Sequence, residues 1–258
     1  MDSAAKRPVA IVTGASRRIG IGAEIARELA RRGHDIFFTH WRTYDRQMNY
    51  EDRDGPEELA TELLAFGARV EHMEADLGDA STPELIVDIC VQVLGVPTVL
   101  INNAAYSTTQ SWEELTAEEI DKHISVNFRA SALLSMAFVR HFDQESGGRI
   151  ISMTSGQGLG PMPTELAYAA SKGAIEAWVK SFAFAVGHKG ITVNAVNPGP
   201  NDTGWMNDDL KDYLQPKFAL GRIGTPPDVA KVIGFLVSDE SGWITGQVIN
   251  VEGGFLRD

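Results

Sequence analysis

The sequence predicts an α/β protein in which helices cover both faces of a doubly wound sheet of seven mainly parallel strands. Seven short apolar runs rich in β-branched residues alternate with amphipathic stretches of helical spacing. Strands buried on both faces read as near-continuous apolar runs, as these do. This alternation is typical of βαβ units. The runs lie at 8–14, 34–40, 69–76, 97–104, 148–155, 191–199 and 247–254.

Turn-forming and capping residues mark where helices begin and end between these runs. Gly33 is expected to cap the C-terminus of the first helix. Thr82 is expected as the N-cap of a later helix, with Pro83 at its first position. Residues 125–142 predict one long helix with apolar residues on more than one face.

The composition indicates one domain that does not bind nucleic acid. The 258 residues are 43% hydrophobic, and no linker or repeat divides them, so a single domain is expected over 1–258. The net charge of −12 opposes binding to phosphate-rich polymers. Cys90 is the only cysteine, as is usual in a reducing compartment. No apolar run could span a membrane and no signal-peptide pattern is seen, so we expect a cytoplasmic protein.

Two long polar segments interrupt the alternation of strands and helices. Residues 41–55 and 197–227 each follow a predicted strand, and ligands bind beyond the carboxyl ends of strands in open α/β sheets. Long loops in compact domains are often binding loops or lids. For 41–55, a tolerated surface insertion is an equal alternative. The Gly- and Pro-rich segment 197–227 is predicted to be the substrate loop.

A glycine-rich turn joins the first strand to the first helix at 12–26. Glycines let a pyrophosphate approach the backbone, and a helix N-terminus supplies free N–H groups and a favourable dipole. A glycine cluster alone could equally be a tight structural turn. Its position at the start of a βαβ series predicts a dinucleotide site.

The end of the second strand bears on which dinucleotide binds. Folds that bind NAD usually carry an acidic residue about 20 residues after the glycines. Here the strand ends at His40, with Arg42 two residues on and Arg17 and Arg18 in the turn. Arginine pairs strongly with phosphate oxygens, so NADP(H) is predicted over NAD(H). The alternative is that these arginines are solvated surface charges.

Tyr168 and Lys172 lie four residues apart in a run of small residues, so a helix would place both on one face. A free phenol has a pKa of about 10. A nearby ammonium favours the phenolate and lowers that pKa, which makes the pair a plausible proton donor for a carbonyl oxygen. Most such pairs are exposed helix decoration, so this one needs companions.

The companions occur in an order that resembles the short-chain dehydrogenase/reductase family over nearly the whole chain. The resemblance implies a Rossmann-type sheet and hydride transfer between a nicotinamide and a carbonyl or secondary alcohol. Within the family the broad likeness is to 3-oxoacyl-carrier-protein reductases, which implies a small-molecule or acyl-thioester substrate. The matching pieces are Thr13-Gly14 with Gly20 and Gly22, Asp76-Leu77, Asn102-Asn103-Ala104, Asn127, Ser155, Tyr168 with Lys172, Pro198-Gly199 with Thr203, and a closing GQVINVEGG.

The same resemblance implies roles for individual residues. Tyr168 is the general acid/base, Lys172 lowers its pKa and holds the nicotinamide ribose, and Ser155 binds the substrate oxygen. Asn127 anchors a water in the proton relay, and Asp76 accepts from the adenine amino group. The implied cofactor-binding residues are Gly14, Ser16, Arg17, Arg18, Gly20, Ile21, Gly22, Arg42, Asp76, Leu77, Asn103, Ala104, Tyr168, Lys172, Pro198, Gly199 and Thr203.

The glycine turn departs from the family pattern. If Gly20 and Gly22 are its later glycines, the first interval is two residues longer than usual. In the other alignment, Arg18 takes the middle glycine position and Gly20 is the last. The first alignment is preferred because it keeps the usual distance to Gly33.

The remaining expectations concern assembly, metals and the alternative function. The segments 117–142 and 165–188 resemble the family's dimer-forming helices, so a homodimer or homotetramer is expected. The six histidines show no metal-ligand spacing, so no catalytic metal is predicted. The alternatives are an NAD(H)-preferring dehydrogenase and a non-catalytic dinucleotide sensor or scaffold. Proteins of the latter kind tend to lose the tyrosine and lysine.

Overall fold

The computed structural model describes residues 7–48, 50, 52 and 54–257. At its centre lies a seven-stranded sheet in the order β3-β2-β1-β4-β5-β6-β7, and all neighbouring strands are parallel. Each predicted apolar run contains one strand, and the predicted fold class is confirmed. The strands are β1 (Val9–Val12), β2 (Asp35–His40), β3 (Val70–Glu74), β4 (Val99–Asn102), β5 (Gly148–Met153), β6 (Ile191–Asn197) and β7 (Val248–Asn250).

Helices connect successive strands and cover both faces of the sheet. A six-residue π-helical segment, Ile124–Arg129, joins two of them, so the predicted long helix is a continuous but non-uniform stretch. The helices are α1 (Ile21–Arg31), α2 (Arg42–Gln47), α3 (Gly55–Ala65), α4 (Thr82–Val93), α5 (Ala117–His123), α6 (Ala130–His141), α7 (Leu166–Val186), α8 (Asp208–Leu214) and α9 (Pro226–Leu236).

The predicted helix caps are displaced by one residue. Ser81, not Thr82, is the N-cap of α4. The Asp79 carboxylate accepts hydrogen bonds from the backbone and the hydroxyl of Ser81, each at 2.8 Å, and this turn starts the helix one residue earlier. At the end of α1 the C-cap is Arg32, and Gly33 follows it with a φ of 92°, the left-handed geometry of a residue just past a helix.

The segment 41–55 is partly helical. It contains α2 and the first residue of α3, while Asn49, Glu51 and Arg53 lie outside the described residues. The segment 197–227 contains α8.

Alternation along the strands builds one apolar core on each face of the sheet. Ile11 and Leu100 pack with α4, α6 and α7 on one face. Val12 and Ile101 pack with α1, α3 and α9 on the other. Both faces of the sheet are therefore covered, and the carboxyl ends of the strands remain as the edge on which a site can form.

Candidate active site

Two adjoining cavities lie at the carboxyl edge of the sheet. The first has a volume of about 870 Å³ and extends from the glycine turn to the end of β3. The second has a volume of about 600 Å³ and lies between the ends of β5 and β6 and the segment that follows β6. Six residues line both cavities and mark their boundary: Ile21, Tyr44, Tyr50, Ser107, Tyr168 and Thr203.

The glycine turn is packed too closely to accept side chains at two positions. Gly14 has a φ of 70°, and a Cβ there would lie 2.6 Å from the Cα of Ala104. A Cβ on Gly22 would lie 2.6 Å from both the Gly14 carbonyl oxygen and Asn103 Nδ2. Gly20 is the N-cap of α1 and has no side chain to cap it, so the first amides of α1 face the first cavity uncapped. Gly20 and Gly22 thus both lie at the start of α1, the arrangement that the first alignment describes.

The Asn103 side chain ties this turn to the end of β4. Its Nδ2 donates to the carbonyl oxygens of Thr13 at 2.9 Å and Gly14 at 3.0 Å. In return, Thr13 Oγ1 accepts from the backbone amides of Asn103 at 3.0 Å and Ala104 at 3.1 Å. These bonds fix the floor of the first cavity at the switch point between β1 and β4, where open α/β sheets bind ligands.

Most of the predicted cofactor-binding residues line the first cavity. Its far end is formed by Asp76, which accepts from the Gly78 amide at 2.8 Å, and by the buried Leu77. The cavity contains the uncapped N-terminus of α1 and the closely packed glycines, so its residues fit a dinucleotide. The predicted residues that line it are Gly14, Ser16, Arg17, Gly20, Ile21, Gly22, Asp76, Leu77, Asn103, Ala104, Tyr168 and Thr203.

The three arginines predicted to read the cofactor are not brought together. Only Arg17 lines the cavity, and its Nη1 donates to the Thr203 carbonyl oxygen at 2.9 Å. Arg18 pairs with Glu58 and Glu62 of α3. Arg42 likewise pairs with two carboxylates, those of Glu57 and Glu74, outside the cavity lining.

The residue at the end of β2 is a buried, uncharged histidine. His40 lines the first cavity, and its Nε2 lies 3.2 Å from His72 Nδ1. Burial and nearby Arg42 lower the pKa of His40 to about 4, so its side chain is neutral at neutral pH. A carboxylate does reach this cavity from α2, since Asp45 hydrogen-bonds Ser16. Sequence reasoning missed Asp45 because no motif marks it.

Tyr168 lies at the boundary of the two cavities, and Ser155 hydrogen-bonds its phenol. Ser155 follows β5, while Tyr168 lies in the first turn of α7. Lys172, one turn further along α7, is 2% exposed, and its Nζ lies 5.5 Å from the centre of the Tyr168 ring. That Nζ donates to the Met153 carbonyl oxygen at 2.8 Å. The predicted serine, tyrosine and lysine are therefore brought together.

Burial disfavours the charged form of both titrating groups. It raises the pKa of Tyr168 to about 12, although the Ser155 hydrogen bond acts to lower it. Burial also lowers the pKa of Lys172 to about 8. The sequence predicted that the ammonium would lower the phenol pKa below its ordinary value. In the structure desolvation dominates and Lys172 is not among the groups that shift the Tyr168 pKa, so Tyr168 stays protonated through the neutral range.

Asn127 is placed beside the site by the π-helical segment. It is fully buried, and its Nδ2 donates to the Tyr106 carbonyl oxygen and to Ser171 Oγ, both at 2.9 Å. Its Oδ1 accepts from the Tyr106 amide at 2.7 Å. Asn127 lines neither cavity. Its side chain holds the segment after β4 against α7, and π-helical turns are frequent at functional sites.

The second cavity contains predicted residues and several that sequence reasoning missed. Pro198, Gly199 and Thr203, which the resemblance places along the nicotinamide, line it. The segment after β2 also reaches it, although the sequence left this segment open as either a binding loop or an insertion. The signal available was its aromatic content after a strand end. Trp205 lies in the predicted substrate loop, whereas the residues that sequence reasoning did not name include Tyr44, Met48, Tyr50, Met162, Glu165, Phe255 and Arg257.

One group of potential metal ligands occurs in the described part of the chain. Glu84, Asp88 and His141 offer ligand atoms within 4.8 Å of one another, on α4 and α6. None of them lines either cavity. Over the same described residues, every helix is too short or too polar to cross a membrane.

Comparisons with known proteins agree with this geometry. The enoyl-(acyl carrier protein) reductase family model matches residues 14–256. The oxidoreductase YjdA of Bacillus subtilis is 48% identical over 257 residues, which are 99% of each chain. A probable tetrahydroxynaphthalene reductase of Zymoseptoria tritici is 32% identical, covering 95% of this chain and 93% of its own.

Solved structures show the same fold. A short-chain dehydrogenase from Burkholderia cenocepacia in complex with NADP has a TM-score of 0.85 and 34% identity, covering 96% of this chain and 97% of its own. A blue fluorescent protein from a metagenomic library in complex with NADPH has a TM-score of 0.86 and 31% identity, covering 97% of this chain and 98% of its own. The chain therefore belongs to the short-chain dehydrogenase/reductase family, and it is an oxidoreductase that acts on C=O or CH–OH groups with a nicotinamide cofactor.

Proposed function

We propose that the protein catalyses NADP(H)-dependent interconversion of a ketone and a secondary alcohol, with Tyr168 as the proton donor and acceptor. The observation that carries this proposal is the position of the Tyr168 phenol. It is hydrogen-bonded by Ser155 at the boundary between a cavity that fits a dinucleotide and a second cavity beside it. A group there can donate a proton to a substrate in the second cavity, next to a cofactor that extends into it from the first.

The chain's own residues provide the proton chemistry. The phenol of Tyr168 donates its proton to the carbonyl oxygen as the carbon gains hydride, and Ser155 Oγ donates a hydrogen bond to the same oxygen. Lys172 lies below the ring and stabilises the phenolate that remains. A bound nicotinamide supplies or accepts the hydride. The raised pKa keeps Tyr168 protonated at neutral pH, which is the form that donates a proton to a ketone.

Several residues would hold the dinucleotide. The uncapped amides of α1 would bind the pyrophosphate, and Asp76 would accept from the adenine amino group. Lys172 would hold the nicotinamide ribose, with Pro198, Gly199 and Thr203 along the nicotinamide. Asn127 is assigned to the proton relay through the segment it holds beside Tyr168.

The preference for NADP(H) is supported by the neutral His40 at the strand end, where folds that bind NAD usually carry an acidic residue. Related structures in complex with NADP and NADPH point the same way. For Arg42 to contact a 2′-phosphate, it must exchange its bonds to Glu57 and Glu74. Asp45 is the feature that opposes this preference.

Assembly and location are part of the same proposal. Trp178 stacks on Phe182 at 4.8 Å between ring centres and meets Phe128 edge-on, while Phe184 is 93% exposed. Such an aromatic surface on α7 and the π-helical segment favours a homodimer or homotetramer through these helices. One domain over 1–258 and a cytoplasmic location complete the assignment.

The test is turnover across a panel of ketones with NADPH, comparing the wild type with Tyr168→Phe. The variant keeps the ring and loses the transferable proton, so turnover should fall by at least about 10²-fold. Cofactor affinity should change little. A wild type that binds NADPH and turns over no ketone would support the non-catalytic sensor instead, and a Tyr168→Phe variant with normal turnover would remove the assigned role.

A further inference from the structure

Glu165 places a carboxylate in the second cavity that no described residue neutralises. It lines this cavity and is partly buried, and burial raises the pKa of its carboxyl. None of the ion pairs or side-chain hydrogen bonds among the described residues includes it. The contrast is Arg257, the other charged side chain in the lining, which pairs with Glu252 at 2.7 and 3.0 Å.

Glu165 is also unused by the helix it precedes. It is the N-cap residue of α7, but its side chain makes no capping hydrogen bond. An N-cap side chain with an oxygen usually bonds to an amide two or three residues on, and doing so stabilises the helix. Glutamate is not among the residues that usually make this bond, and the Glu165 carboxylate lies in the cavity wall. Its oxygens are therefore available to a molecule in the cavity.

The position of Glu165 relative to Tyr168 determines which part of such a molecule the Glu165 carboxylate would contact. Tyr168 is three residues on, and residues at this spacing at a helix start are neighbours. The two side chains interact, since the negative charge of Glu165 acts to raise the pKa of the Tyr168 phenol. A substrate whose carbonyl oxygen lies at Tyr168 would therefore place next to Glu165 those of its atoms that are a few bonds from the carbonyl.

The rest of the lining combines hydroxyl and amide side chains, such as Ser107, Thr108 and Asn201, with aromatic side chains that offer flat surfaces. The rings of Tyr44 and Tyr50 come from the segment after β2, and Trp205 and Phe255 come from the C-terminal part of the chain. With Arg257 already paired, an anionic substrate would meet an unpaired negative charge and no free cation in the described lining. A hydroxyl would find an acceptor there, and a hydrogen bond to a charged acceptor is among the stronger ones.

We propose that Glu165 is a substrate-binding residue that selects an uncharged, flat ketone carrying a hydroxyl a few bonds from the reacting carbonyl. The hydroxyl donates to the Glu165 carboxylate while the ring packs against Tyr44 and Tyr50. This inference rests on the proposed function, and it names the substrate class of that site. It disfavours the 3-oxoacyl thioester predicted from the sequence, whose flexible linear chain uses neither the flat walls nor the acceptor.

The test compares matched substrates in matched variants. The probes are 1-tetralone, its monohydroxylated derivatives, a carboxylated 1-tetralone and S-acetoacetyl-N-acetylcysteamine, each assayed with NADPH. The variants are Glu165→Gln and Glu165→Met, with Glu240→Gln as the control, because Glu240 is exposed and lines neither cavity. Dissociation constants of the same probes, measured by calorimetry with NADP⁺ present, provide a readout that does not depend on turnover.

The wild type should prefer at least one hydroxylated tetralone over 1-tetralone by about tenfold or more in kcat/KM and in binding. Glu165→Met should bring this ratio close to one, Glu165→Gln should leave an intermediate ratio, and Glu240→Gln should leave it unchanged. The carboxylated probe should be poor for the wild type and improve in both Glu165 variants.

Three results would overturn the inference: a hydroxyl preference that survives in both Glu165 variants, no hydroxyl preference in the wild type, or a preference for the thioester or the carboxylated probe. Failure of the proposed function looks different. In that case no ketone is turned over at all, while the calorimetric comparison still decides whether Glu165 binds the hydroxyl.

Discussion

The guanidinium of Arg17 donates to the carbonyl oxygen of Thr203 at 2.9 Å, which joins the glycine turn to the segment after β6. The same guanidinium lies 3.7 Å over the centre of the Tyr50 ring. Three separate parts of the chain therefore meet at one arginine, at the boundary of the two cavities. Arg17 thus has a structural role in closing the site, which differs from the phosphate-reading role predicted from the sequence.

The first prediction follows from this contact. Arg17→Ala should weaken the binding of NADPH and NADH by a similar factor, because it loosens the walls around any dinucleotide. Loss of one or two hydrogen bonds of about 1 kcal/mol each corresponds to roughly five- to thirtyfold in affinity. Fluorescence titration with both cofactors measures this. Loss of NADPH affinity alone would mean that Arg17 contacts the 2′-phosphate.

The second prediction concerns Arg42 and cofactor choice. The wild type should bind NADPH at least about tenfold more tightly than NADH, since one charge-assisted hydrogen bond contributes about 1.5–3 kcal/mol. Arg42→Ala should remove much of this preference and leave NADH binding nearly unchanged. Glu57→Gln, which frees Arg42 from a partner, should strengthen NADPH binding.

The control for this experiment is Arg18→Ala, which removes the same charge from a side chain paired with Glu58 and Glu62. It should leave the cofactor ratio as in the wild type. Equal or tighter binding of NADH to the wild type would refute the NADP(H) assignment. In that case Asp45→Asn should shift the ratio toward NADPH, since Asp45 is the carboxylate in the cavity.

The arginines also show where sequence reasoning stops. The strands could be predicted because burial on both faces leaves apolar runs that are visible locally. Tyr168 and Lys172 could be paired because helix geometry alone places them together. Arg18 and Arg42 could not be placed, because their partners are carboxylates of α3 and β3, whose positions depend on tertiary packing. A cation near a motif in sequence need not point into its site.

The cap of α4 and the role of Glu165 were missed for related reasons. Both depend on which hydrogen bonds the nearby polar groups form, or do not form, in the folded protein. Asp79 captures Ser81 and moves the start of α4 by one residue. Glu165 had a weak sequence signal, as a charge three residues before Tyr168 in an otherwise small and apolar run. Only the three-dimensional structure reveals that it has no side-chain partner among the described residues.

The third prediction is a pH dependence set by Tyr168. Its raised pKa, about 12, keeps the phenol protonated, so ketone reduction should first fall as Lys172 loses its charge near its lowered pKa of about 8, and fall further only as the Tyr168 pKa is approached. Alcohol oxidation needs the phenolate, so below the pKa its rate should rise by about tenfold per pH unit. Glu165→Gln removes a nearby negative charge, which should lower the pKa of Tyr168. The pH profiles of reduction and oxidation should then both shift to lower pH. Initial rates in both directions test this. A pH profile that does not shift in Glu165→Gln would contradict the interaction between Glu165 and the Tyr168 phenol.

The fourth prediction concerns close packing in the glycine turn. A methyl at Gly22 would meet the Gly14 carbonyl oxygen and Asn103 Nδ2, each at 2.6 Å, so the bonds made by Asn103 must shift. Gly22→Ala should cost about 1–3 kcal/mol in the free energy of unfolding, as overpacking does, and should weaken dinucleotide binding.

The matched control is Gly173→Ala in α7, where the added methyl meets no atom within 4 Å. That variant should be neutral or more stable, because alanine favours helix by about 0.5–1 kcal/mol over glycine. Urea unfolding of both variants decides the matter.

The last prediction concerns Asp228 at the start of α9. Its carboxylate accepts two bonds of 2.7 Å from Arg222 and bonds from the amide and the hydroxyl of Thr225, which complete a capping box. The Arg222 guanidinium holds the pKa of this carboxyl well below its ordinary value. A carboxyl with a depressed folded-state pKa stabilises the fold above its unfolded pKa of about 3.9 and loses that contribution as pH falls toward the folded value. Asp228→Asn should therefore be less stable than the wild type by about 1 kcal/mol at neutral pH, and this gap in the free energy of unfolding should narrow as the pH is lowered below about 4.

The control is Asp212→Asn, at an exposed position of α8, which should be as stable as the wild type at either pH. Because α9 packs on α1 through the second core, a gap that stayed constant with pH would mean that Asp228 acts through packing rather than through its charge.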